Sequence, residues 1–122
     1  MKALLIVAHG SRRVQSNDEV RALTRVVAER ASAQYDRVDC AFLELAEPLI
    51  PAGVEALIEA GAGDITVVPY FLSAGRHVVE DIPAEVAKVT LPDGVGVRIA
   101  PYVGESGAMV DLLLAQGQSI NL

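Results

Sequence analysis

Apolar and polar positions run along this chain in two different rhythms. Residues 2–8, KALLIVA, form a near-continuous apolar run, the pattern of a central strand buried on both faces. The rhythm then lengthens. Val20, Leu23 and Val27, with Val26 beside them, recur at helical spacing. Ser16 stands three residues before Glu19, the spacing of a capping box in which each side chain satisfies a free backbone N–H. Together these predict a first helix over 17–33.

The same alternation continues. RVDCAFLEL, 37–45, predicts a second strand. Pro48 is expected in the first turn of the next helix, where a missing N–H costs nothing. Ile50, Val54, Leu57 and Ile58 give that helix its apolar face, and GAG, 61–63, ends it, since glycine takes the left-handed conformation a helix exit often needs. DITVVPYFL, 64–72, predicts a third strand with Pro69 at an end or a bulge. A helix over 83–90 starts near Pro83. GVRIAPYV, 96–103, is a fourth strand. Residues 106–116 form a last helix with Met109, Val110, Leu113 and Leu114 inward. The tail GQSINL carries no strong pattern.

The order βαβαβαβα predicts an α/β fold: a doubly wound, mainly parallel four-stranded sheet with helices on both faces and right-handed crossovers. No repeat or linker divides it, so 1–122 reads as one domain. So small a sheet leaves an edge or a face for a second subunit to cover.

Composition narrows the class. Hydrophobic residues make up 52% of 122 residues, enough for a packed core. The formal net charge is −6, which argues against nucleic acid as a partner. The few aromatics, Phe42, Phe71, Tyr35, Tyr70 and Tyr102, make no stacking platform. Cys40 is the single cysteine. It excludes a disulfide or a cysteine-built metal centre within one chain and reads as a small buried residue. The apolar run after Lys2 is too short to span a membrane and lacks a small-residue cleavage site. A soluble, cytoplasmic protein is expected.

Ligands of open parallel sheets bind beyond the carboxyl ends of the strands. His9 follows the first strand, Glu44 lies near the end of the second, and Ser73, Gly75, Arg76 and His77 follow the third. Both histidines of the chain and one carboxylate thus map to one edge. Each also has an ordinary reading: a hydrogen-bonded loop histidine, a solvated glutamate, plain surface arginines at 12, 13 and 76. Taken together, two neutral imidazoles and a carboxylate suit a divalent first-row metal. Three protein ligands leave positions open for a substrate, and the arginines can hold substrate carboxylates. Other chemistries lack their motifs. GAGD follows a helix and lacks the later glycine of a dinucleotide loop. There is no phosphate-loop lysine and no nucleophile elbow. Ala8 stands where the histidine phosphatases have the arginine that precedes their histidine.

HGSR after the first strand, FLELAEPLI at 42–50, PYFLSAGRHVVEDIP at 69–83 and PYVG at 101–104 together resemble the small CbiX-type class II chelatases, which insert a divalent metal into sirohydrochlorin. The resemblance covers most of the chain in order and spacing, and the third block is its most specific part. It implies a doubly wound domain that homodimerises to form the cleft that larger relatives build from two such domains. It implies that His9 binds metal and accepts a proton, and that His77 is the second metal histidine. Glu44 is the candidate third ligand, ahead of Glu47. Ser11, Arg12, Glu47 and the segment Leu72, Ser73, Ala74, Gly75, Arg76 and His77 would contact the tetrapyrrole. No permanently bound cofactor is implied. The metal is substrate, cobalt first, with nickel and iron(II) as alternatives. A non-catalytic metal or tetrapyrrole carrier is the competing class, and a histidine-dependent phosphatase a weaker third.

Overall fold

Strand β1 (Lys2–Ala8) is the structural centre, with every residue from Ala3 to Ala8 buried. The computed structural model describes residues 1–120; the last two residues of the patternless tail lie outside the described residues. Strands β2 (Arg37–Phe42), β3 (Asp64–Pro69) and β4 (Gly96–Ile99) complete a sheet of order β2-β1-β3-β4. All pairs are parallel, with Ala8 opposite Phe42 and Val7 opposite Pro69. The helices are α1 (Val14–Arg30), α2 (Ile50–Glu59), α3 (Ile82–Ala87) and α4 (Ala108–Gln118).

The two faces of the sheet differ. Ala3, Leu5 and Val7 pack with Ala41, Ile65 and Val67 beneath Val54 and Leu57 of α2 and Ile82 of α3. Gly53 lets α2 approach closely: a Cβ there would stand 2.9 Å from the Ala41 Cβ. On the other face Leu4, Ile6 and Val38 pack against Ala31, with Val27 and Ala28 of α1 partly buried beside them. Helices on both faces make the fold doubly wound, as the alternation predicts.

Several boundaries differ from expectation. Helix α1 begins at Val14, so Ser16 and Glu19 lie inside it and form no capping box; Arg13 is the N-cap and makes no side-chain cap bond. The inward row of α1 includes the polar Asn17 and Thr24, both buried, while Leu23 and Val26 are exposed. Strand β2 stops at Phe42, because the chain leaves the sheet through a turn with Leu45 at φ 65°. Pro51, not Pro48, occupies the first turn of α2. Pro69 ends β3 as the missing N–H suggests, and β4 is cut short before Pro101. Helix formation in the third block starts earlier than expected, as a π-turn over His77–Asp81 that runs into α3. Cys40 is half-buried.

The largest departure is α4. Val110, Leu113 and Leu114 are 63%, 65% and 59% exposed instead of inward, and no residue of the helix is buried. Among the described residues α4 packs mainly on the short 3₁₀ turn Val103–Glu105 that precedes it, and most of its apolar surface stays exposed.

Two glycine substitutions separate packing from helix propensity. Replacing a helical glycine by alanine gains about 1 kcal/mol of propensity, whereas overpacking costs about 1–3 kcal/mol. Gly53→Val should therefore lower the thermal midpoint through its clash with Ala41. Gly117→Ala, with open space around its Cβ, should leave the midpoint unchanged or raise it. Equal midpoints for the two variants would remove the close α2–β2 approach from the account.

Candidate metal site

Parallel register delivers three strand ends to one edge, and short backbone bonds carry that alignment into the loops. The Leu43 N–H donates to the Ala8 carbonyl at 2.9 Å and the Glu44 N–H to the His9 carbonyl at 3.1 Å. The Tyr70 N–H donates to the Val7 carbonyl at 2.7 Å. Two glycines then permit approaches that no side chain allows. Gly10 has φ +91°, and a Cβ there would lie 1.7 Å from the Glu44 carbonyl oxygen. A Cβ on Gly104 would lie 1.8 Å from the Leu72 carbonyl oxygen, and its N–H donates to the Phe71 carbonyl at 3.0 Å. PYVG is thus a buttress for the loop after β3.

These loops bring His9, Glu44 and His77 together. His9 Nε2 lies 3.2 Å from Glu44 Oε1. That atom is nevertheless buried without a hydrogen-bond partner: the separation is short, but the alignment a hydrogen bond requires is missing. A buried, unpaired ring nitrogen beside a carboxylate is the donor arrangement that a cation would complete. The rings of His9 and His77 are 4.6 Å apart between centroids and tilted by 48°, with Phe71 flanking both at 6.4 and 6.5 Å.

The π-turn sets the orientation of His77. Its Nδ1 lies 2.8 Å from Asp81 Oδ2, one turn further on. An ionised carboxylate there favours the proton on Nδ1, which leaves Nε2 with its lone pair. Asp81 is a site residue that sequence reasoning missed; its spacing of four from His77 was the available signal. Among the described residues, no group of three or more His, Cys, Asp or Glu stands in ready metal-holding geometry. His77 faces His9, but its other nitrogen is engaged by Asp81, and Glu44 leans on His9.

The remaining predicted residues lie around this centre. Ser11 is half-buried, whereas Arg12, Arg13, Glu47 and the whole of 72–77 are exposed. Arg76 Nε stands 3.7 Å from Glu80 Oε2. Clefts lined by Glu47, Pro48, Leu49 and Ala52, and by Pro101, Tyr102, Val103, Glu105 and Ser106, open at the loops beyond β2 and β4.

The family model of CbiX matches residues 3–119. The chain belongs to the CbiX family. Among CbiX relatives it is 41% identical over 85 residues to a sirohydrochlorin cobaltochelatase of Methanococcus maripaludis, covering 68% of this chain and 56% of that protein. It is 32% identical over 113 residues to the sirohydrochlorin cobaltochelatase of Sulfolobus acidocaldarius, covering 93% and 87%. The structure of the sirohydrochlorin chelatase SirB from Bacillus subtilis subspecies spizizenii in complex with cobalt superposes with a TM-score of 0.84 at 30% identity. That match covers 98% of this chain and 50% of SirB. Matched segments span about half the length of the first curated relatives, at 56% and 57%.

The two glycine contacts make a local forecast. Gly10→Ala should shift backbone amide signals of residues 43–46, and Gly104→Ala those of 70–75, in two-dimensional NMR spectra. Each should destabilise by roughly 1–3 kcal/mol, the usual scale of overpacking. Spectra with both loops unmoved would contradict the buttressing.

Proposed function

We propose that this chain is a chelatase that inserts a divalent metal, cobalt first with nickel or iron(II) as alternatives, into sirohydrochlorin. The observation that carries the reading is the buried, unpaired Nε2 of His9, facing Glu44 with the His77 ring beside it. Relatives named as sirohydrochlorin cobaltochelatases and ferrochelatases support the substrate class, as does a cobalt complex of SirB.

The chemistry follows from the donor set. Two neutral imidazoles and a carboxylate bind a first-row cation through nitrogen and oxygen. They leave coordination positions open for the incoming macrocycle. As pyrrole nitrogens replace protein ligands, the macrocycle releases two N–H protons. His9 takes one at Nε2 once the metal departs; Glu44 or water takes the other. An imidazole suits this because its ordinary pKa lies near neutral pH. Binding must stay moderate, or the metal would not leave the protein.

Recognition must work against a net charge of −6, because sirohydrochlorin is itself a polycarboxylate. Exposed Arg12, Arg13 and Arg76 supply the local positive field, with Ser11, Glu47 and the 72–77 loop beside them. Charges further than about 8 Å away are damped at physiological salt. The chain works as a homodimer in this reading. It matches half of SirB, and the bare apolar surface of α4 supports a partner copy. Its setting is the cytoplasm; no described helix is long and apolar enough to cross a membrane.

His9→Ala should abolish insertion of cobalt and nickel while the fold survives, and Glu44→Gln should weaken metal binding or slow insertion. Both are read from the absorbance of sirohydrochlorin under anaerobic conditions. Wild-type rates in His9→Ala would sink the proposal. A colour change limited to one equivalent per dimer would make the protein a carrier.

A further inference from the structure

Helix α1 makes two polar contacts that its packing does not require. Asn17 is buried, with only 6% of its surface accessible. Its amide closes on one residue of the loop after β1: Oδ1 accepts the Ser11 N–H at 2.9 Å, and Nδ2 donates to the Ser11 carbonyl at 2.8 Å. One side chain thus satisfies both backbone groups of Ser11, two residues beyond His9. The second contact comes one turn later on the same face. Arg21 Nη2 donates to the Glu47 carbonyl at 2.8 Å, in the middle of the loop after β2. Its other nitrogen, Nη1, is braced by Asp18 at 3.1 Å. The guanidinium lies 5.0 Å from the centre of the buried Phe42 ring, which fixes its height above the end of β2.

We infer that Asn17 and Arg21 are positioning residues that hold the outer stretches of the His9 loop and the Glu44 loop, at Ser11 and Glu47, from one face of α1, adding to the backbone bonds that join Glu44 to His9. A helix is stiff, and positions four apart lie side by side on it. Two loops tied to those positions inherit a fixed spacing. Among the described residues, the backbone of the loop after β2 is otherwise bonded near its ends. Leu43 and Glu44 bond back to Ala8 and His9, and the Phe42 N–H meets the Pro48 carbonyl at 2.8 Å. Arg21 ties the exposed stretch between them. This role accounts for a polar amide buried on α1. Their hydrogen bonds go to Ser11, Asp18 and Glu47, not to the side chains of His9, Glu44 or His77.

The inference rests on the reading of His9 and Glu44 as metal-holding groups, so the test separates the two. Asn17→Ala, Arg21→Ala, Arg21→Lys and His9→Ala are made in the full chain, and cobalt insertion into sirohydrochlorin is measured against cobalt concentration. Supporting groups around a metal site typically change affinity or activity about 10–100-fold when removed. Asn17→Ala and Arg21→Ala should each raise KM for cobalt about tenfold with kcat within about twofold, as loss of ground-state positioning does. Arg21→Lys, which keeps a donor for the Glu47 carbonyl, should recover part of that loss. Should Asn17→Ala fail to fold, the surface variant Arg21→Ala decides. A wild-type KM in Arg21→Ala, with or without a lowered melting temperature and with His9→Ala inactive, overturns the positioning role and leaves the chelatase reading standing. An active His9→Ala overturns that reading itself.

Discussion

The parallel register of β1 with its two neighbours is the constraint from which the rest follows. Ala8 stands opposite Phe42, and Val7 opposite Pro69, so three strands end at one level. A one-residue shift would exchange Ala3, Leu5 and Val7, packed beneath α2 and α3, with Leu4 and Ile6, packed against α1, and close-packed faces fitted to different side chains resist that exchange. The loops therefore leave the sheet from fixed points. His9 is the first residue beyond β1, Glu44 is pinned by its N–H to the His9 carbonyl, and the loop after β3 begins with Tyr70 held to Val7. The candidate site is the place where three rigidly registered strands release their chains.

The loops add close backbone contact to that register. Gly10 lies against the Glu44 carbonyl and Gly104 against that of Leu72. The π-turn His77–Asp81 turns one imidazole back toward the other. The result is a group of donors with one nitrogen buried and unpaired. Isolated polar atoms of this kind are costly, and they are retained where a ligand completes them.

Much of this was legible in the sequence. The apolar run Ala3–Ala8, the alternation of two periods and the polar residues after each strand located the sheet and the edge carrying His9, Glu44 and His77. What escaped the sequence depended on contacts between distant segments. The inward face of α1 could not be read from apolar periodicity, because Asn17 and Thr24 occupy it. The capping box at Ser16 gave way to an earlier helix start, since Ser11 and Asn17 close the loop before it. Asp81 and Arg21 gained meaning only when folding placed them beside His77 and Glu47. Helix α4 reversed expectation for a different reason. Its leucines are apolar as predicted, but among the described residues no surface buries them.

In the proposed function His9, Glu44 and His77 meet on one cation. Anomalous difference scattering from crystals of the full chain grown with cobalt tests it most directly. One strong peak is expected between His9 Nε2, His77 Nε2 and the Glu44 carboxylate, with the Asp81 bond to His77 Nδ1 kept. A cobalt peak bound elsewhere, with His9 Nε2 left unliganded, would contradict it.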